Sequence, residues 1–113
     1  MKQNKIYSML GLAAKAGKIV SGEFATDKNV KAGKAWLVLV STDASDNTKK
    51  MFSNMCEFYE VPIYFYGNKE ELGHAIGKEM RSSLAITDEG FAKSLIKNLE
   101  QSVNSTEANE WQK

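Results

Sequence analysis

Apolar and polar positions along this chain form blocks of two kinds. Ile6, Met9, Leu10, Ala13 and Ala14 recur at i, i+3, i+4, i+7 and i+8, a spacing that gathers apolar side chains on one helix face. It predicts a first helix over Lys2 to Ala16, stopped by Gly17 in a left-handed cap after Lys15 in the last turn. Lys18 to Ser21 reads as a short strand. Ser21-Gly22 opens a second helix, with Glu23 and Asp27 early, Lys31 late and Gly33 closing it, an order that matches the helix dipole. Trp36-Leu37-Val38-Leu39-Val40 is an unbroken apolar run of strand length, as expected for a strand covered on both faces.

The polar turn Asp43 to Asn47 leads into a third helix with an apolar face of Met51, Phe52, Met55, Cys56 and Tyr59, ended by Pro62. Ile63 to Tyr66 predicts a strand stopped by Gly67. Asn68, followed by Glu71 three residues later, resembles a capping box for a short fourth helix to about Ile76. A loop over Gly77 to Ser82 precedes a last strand, Ser83 to Thr87. Thr87 or Asp88 then caps a fifth helix with Phe91, Ala92, Leu95, Ile96 and Leu99 inward. Gln101 to Lys113 is polar and aperiodic and reads as a flexible tail, with Trp111 its one anchor. Such regular alternation predicts one α/β domain over residues 1–100. Its architecture is a compact three-layer α-β-α sandwich with about four strands in a mixed sheet and helices on both faces.

The size fits that picture: 113 residues bury roughly two thirds of their unfolded surface, enough for a core without disulfides or a structural metal. The one cysteine, Cys56, excludes an intramolecular disulfide and a cysteine zinc cluster, and points to the reducing cytoplasm. Lys2 and Lys5 before the run Ile6–Ala14 raise the question of a signal peptide. Tyr7, Ser8 and Gly11 within the run, its helical periodicity, and the charge of Lys15 describe a folded amphipathic helix instead. No stretch approaches the ~20 apolar residues that cross a bilayer, so no membrane partner is expected.

The net charge of +1 conceals an uneven distribution. Residues 1–50 carry nine lysines and four acids, whereas residues 51–113 carry six basic and ten acidic residues. That polarity is a hint of a local basic surface.

Enzyme motifs fail on inspection. Gly11-Leu12-Ala13-Ala14-Lys15-Ala16-Gly17-Lys18-Ile19 imitates a phosphate loop, but its spacer is one residue too long and Ile19 stands where a magnesium-binding Ser/Thr belongs. No dinucleotide fingerprint follows a strand. His74, the sole histidine, has no ligand cluster at metal spacing and reads as a solvated helix residue. Cys56 reads as a buried, inert thiol. The pairs Glu70/Glu71 and Asp88/Glu89 fall in first turns of helices, where unpaired backbone N–H groups account for them. The sequence predicts no catalytic residues, no cofactor and no metal.

On a helical wheel Phe24, Lys28 and Lys31 lie within about 60° of one another, while Ala25, Thr26, Asn29, Val30 and Ala32 occupy much of the other side. Lys15, Lys18 and Lys34 extend the positive potential. Gly22, with no side chain, lets a phosphate or sugar approach the backbone N–H groups at the helix start. An ordinary solvated face with Phe24 in the core fits this pattern. So does a surface that attracts phosphate and stacks a base.

Four segments carry a resemblance: Gly22-Glu23-Phe24-Ala25-Thr26-Asp27-Lys28, Lys31-Ala32-Gly33-Lys34-Ala35-Trp36 with the apolar run after it, Glu71-Leu72-Gly73-His74-Ala75-Ile76-Gly77-Lys78, and Ser83-Leu84-Ala85-Ile86-Thr87-Asp88-Glu89-Gly90. In this order they resemble the kink-turn-binding large-subunit ribosomal protein family, which includes core proteins of small nucleolar and spliceosomal particles. Leu10 to Lys18 with Ser21-Gly22-Glu23 looks like its bacterial, ribosomal-protein-like branch. The similarity covers about residues 4–100. It implies a non-enzymatic, cytoplasmic protein that binds structured RNA, a kink-turn or related bent internal loop, with ribosomal RNA one candidate target.

By this resemblance Gly22 and Lys28 lie at the RNA, beside tandem sheared G·A pairs. The loop after the fourth helix covers a flipped-out base through Ile76 and Met80, with Gly77 and Lys78 beside them and Arg81 on the RNA backbone. Lys15, Lys18 and Lys31 complete the basic surface. The chain departs from the family where polar side chains usually hydrogen-bond base edges, since it has Phe24 and Ala25. That exchange weakens sequence discrimination and leaves phosphate attraction in place; Phe24 then stacks on a base, or the branch reads another RNA shape. A protein-interaction module of a transcription or translation complex, docking ribosomal or transcription-complex proteins through the same surface, is the alternative. A nucleotide-binding enzyme rests on the failed phosphate-loop match alone.

Overall fold

The computed structural model describes residues 4–111, with side chains through Gln101. In chain order the elements are α1 (Lys5–Lys15), β1 (Ile19–Ser21), α2 (Glu23–Lys31), β2 (Leu37–Val40), α3 (Asp46–Tyr59), β3 (Ile63–Phe65), α4 (Lys69–Ala75), β4 (Ser83–Ile86) and α5 (Glu89–Trp111). The predicted start of the first helix at Lys2 lies outside the described residues, as does the side chain of Trp111. The α5 backbone continues as helix into the segment read from sequence as a tail.

The four strands form one mixed sheet in the order β1-β4-β2-β3. β1 and β2 pair antiparallel with β4, and β2 pairs parallel with β3. β2 is fully buried, and its alternation assigns the two faces. Leu37 and Leu39 join Leu84 and Ile86 of β4 against Ile6 and Leu10 of α1, Leu72 of α4 and Leu95 and Leu99 of α5. Val38 and Val40, with Ala85, face Val30 of α2 and Phe52 and Cys56 of α3. Fully burying each of these Val, Leu, Ile or Phe side chains stabilises the fold by about 1.5–3 kcal/mol, so a one-residue slip of β2 has a high cost. Trp36, read from sequence as part of the covered strand, lies just before it and is 47% exposed. Tyr59, predicted on the inner face of α3, is 41% exposed. It occupies the last turn of α3, beside the exposed Phe58.

Helices α1 to α4 end by one device. After α1, α2 and α4, Gly17, Gly33 and Gly77 take φ values of 73°, 74° and 75°. The following N–H then reaches back to the last turn: Lys18 to Ala13, Lys34 to Asn29 and Lys78 to Gly73. α3 ends the same way without glycine. Glu60 adopts φ 58° and Val61 donates to the Cys56 carbonyl, so the helix is already finished before Pro62. At the starts, Asn4, Ser45 and Asn68 accept from the backbone of Tyr7, Thr48 and Glu71, and Asp88 accepts from Phe91 at 2.9 Å.

Candidate nucleic-acid interface

The start of α2 is built without a side-chain cap. Gly22 has φ 95° and ψ 157° with open space around its missing Cβ, a backbone region essentially reserved for glycine. Its own N–H donates to the Ser83 carbonyl at 2.9 Å, which ties the β1–α2 junction to β4. The N–H groups offered at the helix start are therefore those of Glu23, Phe24 and Ala25, the first turn that no helical carbonyl reaches.

A second tie holds the α4–β4 loop to this junction. The Arg81 N–H donates to the Lys69 carbonyl at 3.0 Å, and its Nε donates to Ser21 Oγ at 3.1 Å. One of its terminal nitrogens donates to the Met80 carbonyl at 2.9 Å. Arg81, expected on the RNA backbone, is thus half-buried and engaged in joining loop to strand. Beneath the loop Gly73 is buried, and a Cβ there would overlap the carbonyl of Glu79. The loop can cross α4 this closely because residue 73 is glycine.

Two clefts flank the junction. The first, about 320 Å³, is lined by Ala14, Lys15, Ile19, Ser21, Ile76, Gly77 and Lys78. Lys15 and Lys78, both exposed, belong to its wall, and its surface is mainly polar with Ile19 and Ile76 as apolar members. Ile76, expected to cover a flipped-out base from the surface, is only 8% exposed and belongs to the core; it contributes to the cleft from beneath. Met80, 62% exposed on the loop, lies outside this cleft.

The second cleft, about 330 Å³, runs along the outer side of α2 between Phe24, Ala25, Lys28, Asn29, Ala32 and Lys34. Phe24 is 79% exposed, which removes it from the core. Ala25, Asn29 and Ala32, placed by the wheel on the side away from the Phe24 stripe, line this cleft with it, and the buried side of α2 is Thr26 and Val30. Ideal helix geometry explains the arc: taking Phe24 as zero, Lys28, Ala32, Ala25 and Asn29 fall at about 40°, 80°, 100° and 140°. Lys31 falls on the other side of Phe24, where its Nζ lies 3.1 Å from Asp27 Oδ1. Lys31 and Lys18 line neither cleft. Of the cleft residues, Ile19, Ser21 and Asn29 escape a reading of local pattern, since their roles come from neighbours remote in sequence or from a cleft that the wheel alone does not reveal.

His74 is exposed, and Cys56 is buried with its thiol pushed up to about 11 by burial. Among the described residues no group of three His, Cys, Asp or Glu side chains lies close enough to hold a metal. Nor is any described helix long and apolar enough to cross a membrane.

A mixed four-stranded sheet between two helical layers, with a glycine-opened helix beside a short loop, defines a compact α/β sandwich, and comparison with known proteins places it. Residues 4–96 match the model of the Ribosomal protein L7Ae/L30e/S12e/Gadd45 family. The chain is 44% identical over 94 residues to the RNA-binding protein YlxQ of Bacillus subtilis (strain 168), covering 83% of this chain and 94% of that protein. It is 37% identical over 91 residues to the large ribosomal subunit protein eL30 of Sulfolobus acidocaldarius, covering 77% and 88%. A solved structure of a Bacillus halodurans C protein of unknown function superposes with TM-score 0.85 at 38% identity, over 87% of this chain and 99% of that one. The Giardia lamblia 15.5kD RNA binding protein shares the fold at TM-score 0.73 and 23% identity, over 89% and 92%. The chain belongs to the Ribosomal protein L7Ae/L30e/S12e/Gadd45 family.

Proposed function

We propose that this protein binds structured RNA without catalysing a reaction on it. It grips a kink-turn or related bent internal loop with the start of α2 and the α4–β4 loop, and acts on or beside the ribosome in the cytoplasm. Family membership and the names of the Bacillus subtilis and Sulfolobus relatives support the class. The observation that carries the reading is the first cleft, a mainly polar groove in which Lys15 and Lys78 stand beside Ile19 and Ile76 next to the pinned α2 start. An unstacked base fits against such a surface while its neighbouring phosphates meet the ammonium groups.

Phe24 and Ala25 offer no hydrogen-bonding side chains to base edges, so affinity is governed by charge and RNA shape and falls steeply with salt. A mobility-shift titration of a kink-turn RNA against a plain duplex of matched length tests this. The expected result is tighter binding of the kinked RNA, weakened by Lys15→Ala with Lys78→Ala. No binding to structured RNA at low salt overturns the reading and favours a protein-docking role for the surface.

A further inference from the structure

β3 closes the sheet on one side, and its outer edge pairs with no strand among the described residues. Val38 donates to the Pro62 carbonyl and Tyr66 to the Val40 carbonyl, so the even-numbered residues of this stretch turn their backbone groups toward β2. Ile63 and Phe65 therefore each point an N–H and a C=O away from the sheet. The Phe65 side chain is 41% exposed. Neither a proline nor a charged side chain lies within Ile63–Phe65 to blunt the edge.

The helix beside this edge carries charge in a definite order. α3 lies against β2 and β3, with α2 on its other side. The crossover from β2 through α3 to the parallel β3 is right-handed, as such units are. In that geometry the side of α3 about 60° to 140° round from Phe52 overhangs the β3 edge, and it holds Lys49, Ser53 and Glu57. α3 runs opposite to β3, and the Val61 N–H bonds the Cys56 carbonyl at 2.9 Å. Ser53 is thus about level with Tyr64, with Lys49 one turn away toward Phe65 and Glu57 one turn away toward Pro62. Among the described residues neither Lys49 nor Glu57 is ion-paired; the pairs formed are Lys31–Asp27 and Lys93–Glu89.

A two-fold axis beside Tyr64 makes such an edge complementary to itself. We infer that it is a docking surface for a second copy of this chain, with the two β3 strands pairing antiparallel into one continuous sheet. Ile63 of each copy exchanges backbone hydrogen bonds with Phe65 of the other, and Tyr64 faces its own counterpart. Each Phe65 ring is covered by Ile63 of the other copy, and Lys49 of each α3 meets Glu57 of the other. An unrelated strand gains the backbone bonds without this exchange of charge, so the observations favour a second copy. The α2 start follows β1, at the opposite edge of the sheet, and stays open in both copies.

Sedimentation velocity of the full chain over a concentration series tests the inference. The wild type dimerises as concentration rises. Lys49→Glu and Glu57→Lys each weaken dimerisation on the order of tenfold, because like charges then face each other across the axis. An equimolar mixture of these two variants restores it, since each supplies the charges that the other lacks. A role for either residue within its own chain predicts no such rescue. Phe65→Lys, which places a charge on the pairing edge, abolishes the dimer, and circular dichroism verifies that all three variants are folded. A wild type that stays monomeric up to millimolar concentration, a dimer indifferent to both charge reversals, or a mixture that fails to associate overturns the inference.

Discussion

Replacing Gly73 by alanine tests the feature that shapes the interface. Gly73 is buried in α4 beneath the loop carrying Gly77 to Arg81. An added Cβ would overlap the Glu79 carbonyl and lie 3.2 Å from the Arg81 nitrogen. Both neighbours are backbone and cannot swing aside as a side-chain tip can. Restoring ordinary carbon contact therefore lifts the loop by about 2 Å. That movement breaks the hydrogen bonds from Arg81 to the Lys69 carbonyl, 3.0 Å, and to Ser21 Oγ, 3.1 Å. Each bond contributes about 1 kcal/mol and overpacking costs about 1–3 kcal/mol, so Gly73→Ala destabilises the protein by about 3–5 kcal/mol. With 113 residues and about 2.1 cal/mol/K of unfolding entropy per residue, Tm falls by about 12–20 °C.

Gly77→Ala is the comparison, because its φ is 75° but a Cβ there meets nothing within 4 Å. It incurs only left-handed backbone strain, about 1–2 kcal/mol. Urea unfolding followed by circular dichroism separates the two. RNA affinity, measured at a temperature where both variants are folded, falls further for Gly73→Ala because its loop is displaced. Equal destabilisation by the two substitutions, or a loss under about 1 kcal/mol for Gly73→Ala, refutes close backbone approach as the reason for the glycine.

Three other outcomes follow from particular contacts. Lys28→Ala lowers the slope of log affinity against log salt by about 0.7–0.9, one phosphate's worth, whereas Lys31→Ala lowers it less because its ammonium lies 3.1 Å from Asp27; equal slope changes in salt titrations contradict this. Glu60→Gly relieves the φ of 58° at the end of α3 and raises stability by about 1 kcal/mol, and chemical denaturation showing no gain refutes it. Burial pushes the Cys56 thiol up to about 11 from an ordinary 9.0. The unfolded chain thus ionises first, and the thiol's contribution is complete below pH 9, falling by about 2–3 kcal/mol as pH rises from 9 to 11. Cys56→Ala removes that part of the alkaline decline in a pH series of urea melts, and an unchanged decline rules out thiol ionisation as its cause.

Local chemistry made most elements legible before any fold was known. The run Leu37–Val40, the periodic faces of α1 and α5, the asparagine at the start of α4 and the glycines after three helices act within a few residues of themselves. The basic character of the first third of the chain is of the same kind, whereas the exposure of Phe24, which the pattern left open, was decided by α2 packing through Thr26 and Val30. The departure at Phe24 and Ala25 was visible as well, because it is a property of two side chains at known spacing from Gly22.

What the sequence alone left open depended on partners far along the chain. The end of α3 lay beyond reach because Glu60 took the left-handed position that glycine fills elsewhere, and Tyr59 turned outward with it. Ile76 was drawn into the core by Leu10 and Leu72, and Arg81 was taken up by Ser21, 60 residues away in sequence. Strand order, and hence the meeting of the α2 start with the α4–β4 loop, is fixed by pairing of β4 between β1 and β2. Helix faces and caps are determined by short-range geometry repeated along the backbone. A cleft between two loops exists only once the sheet has chosen its neighbours, which is why the tertiary structure alone decided which lysines share a site.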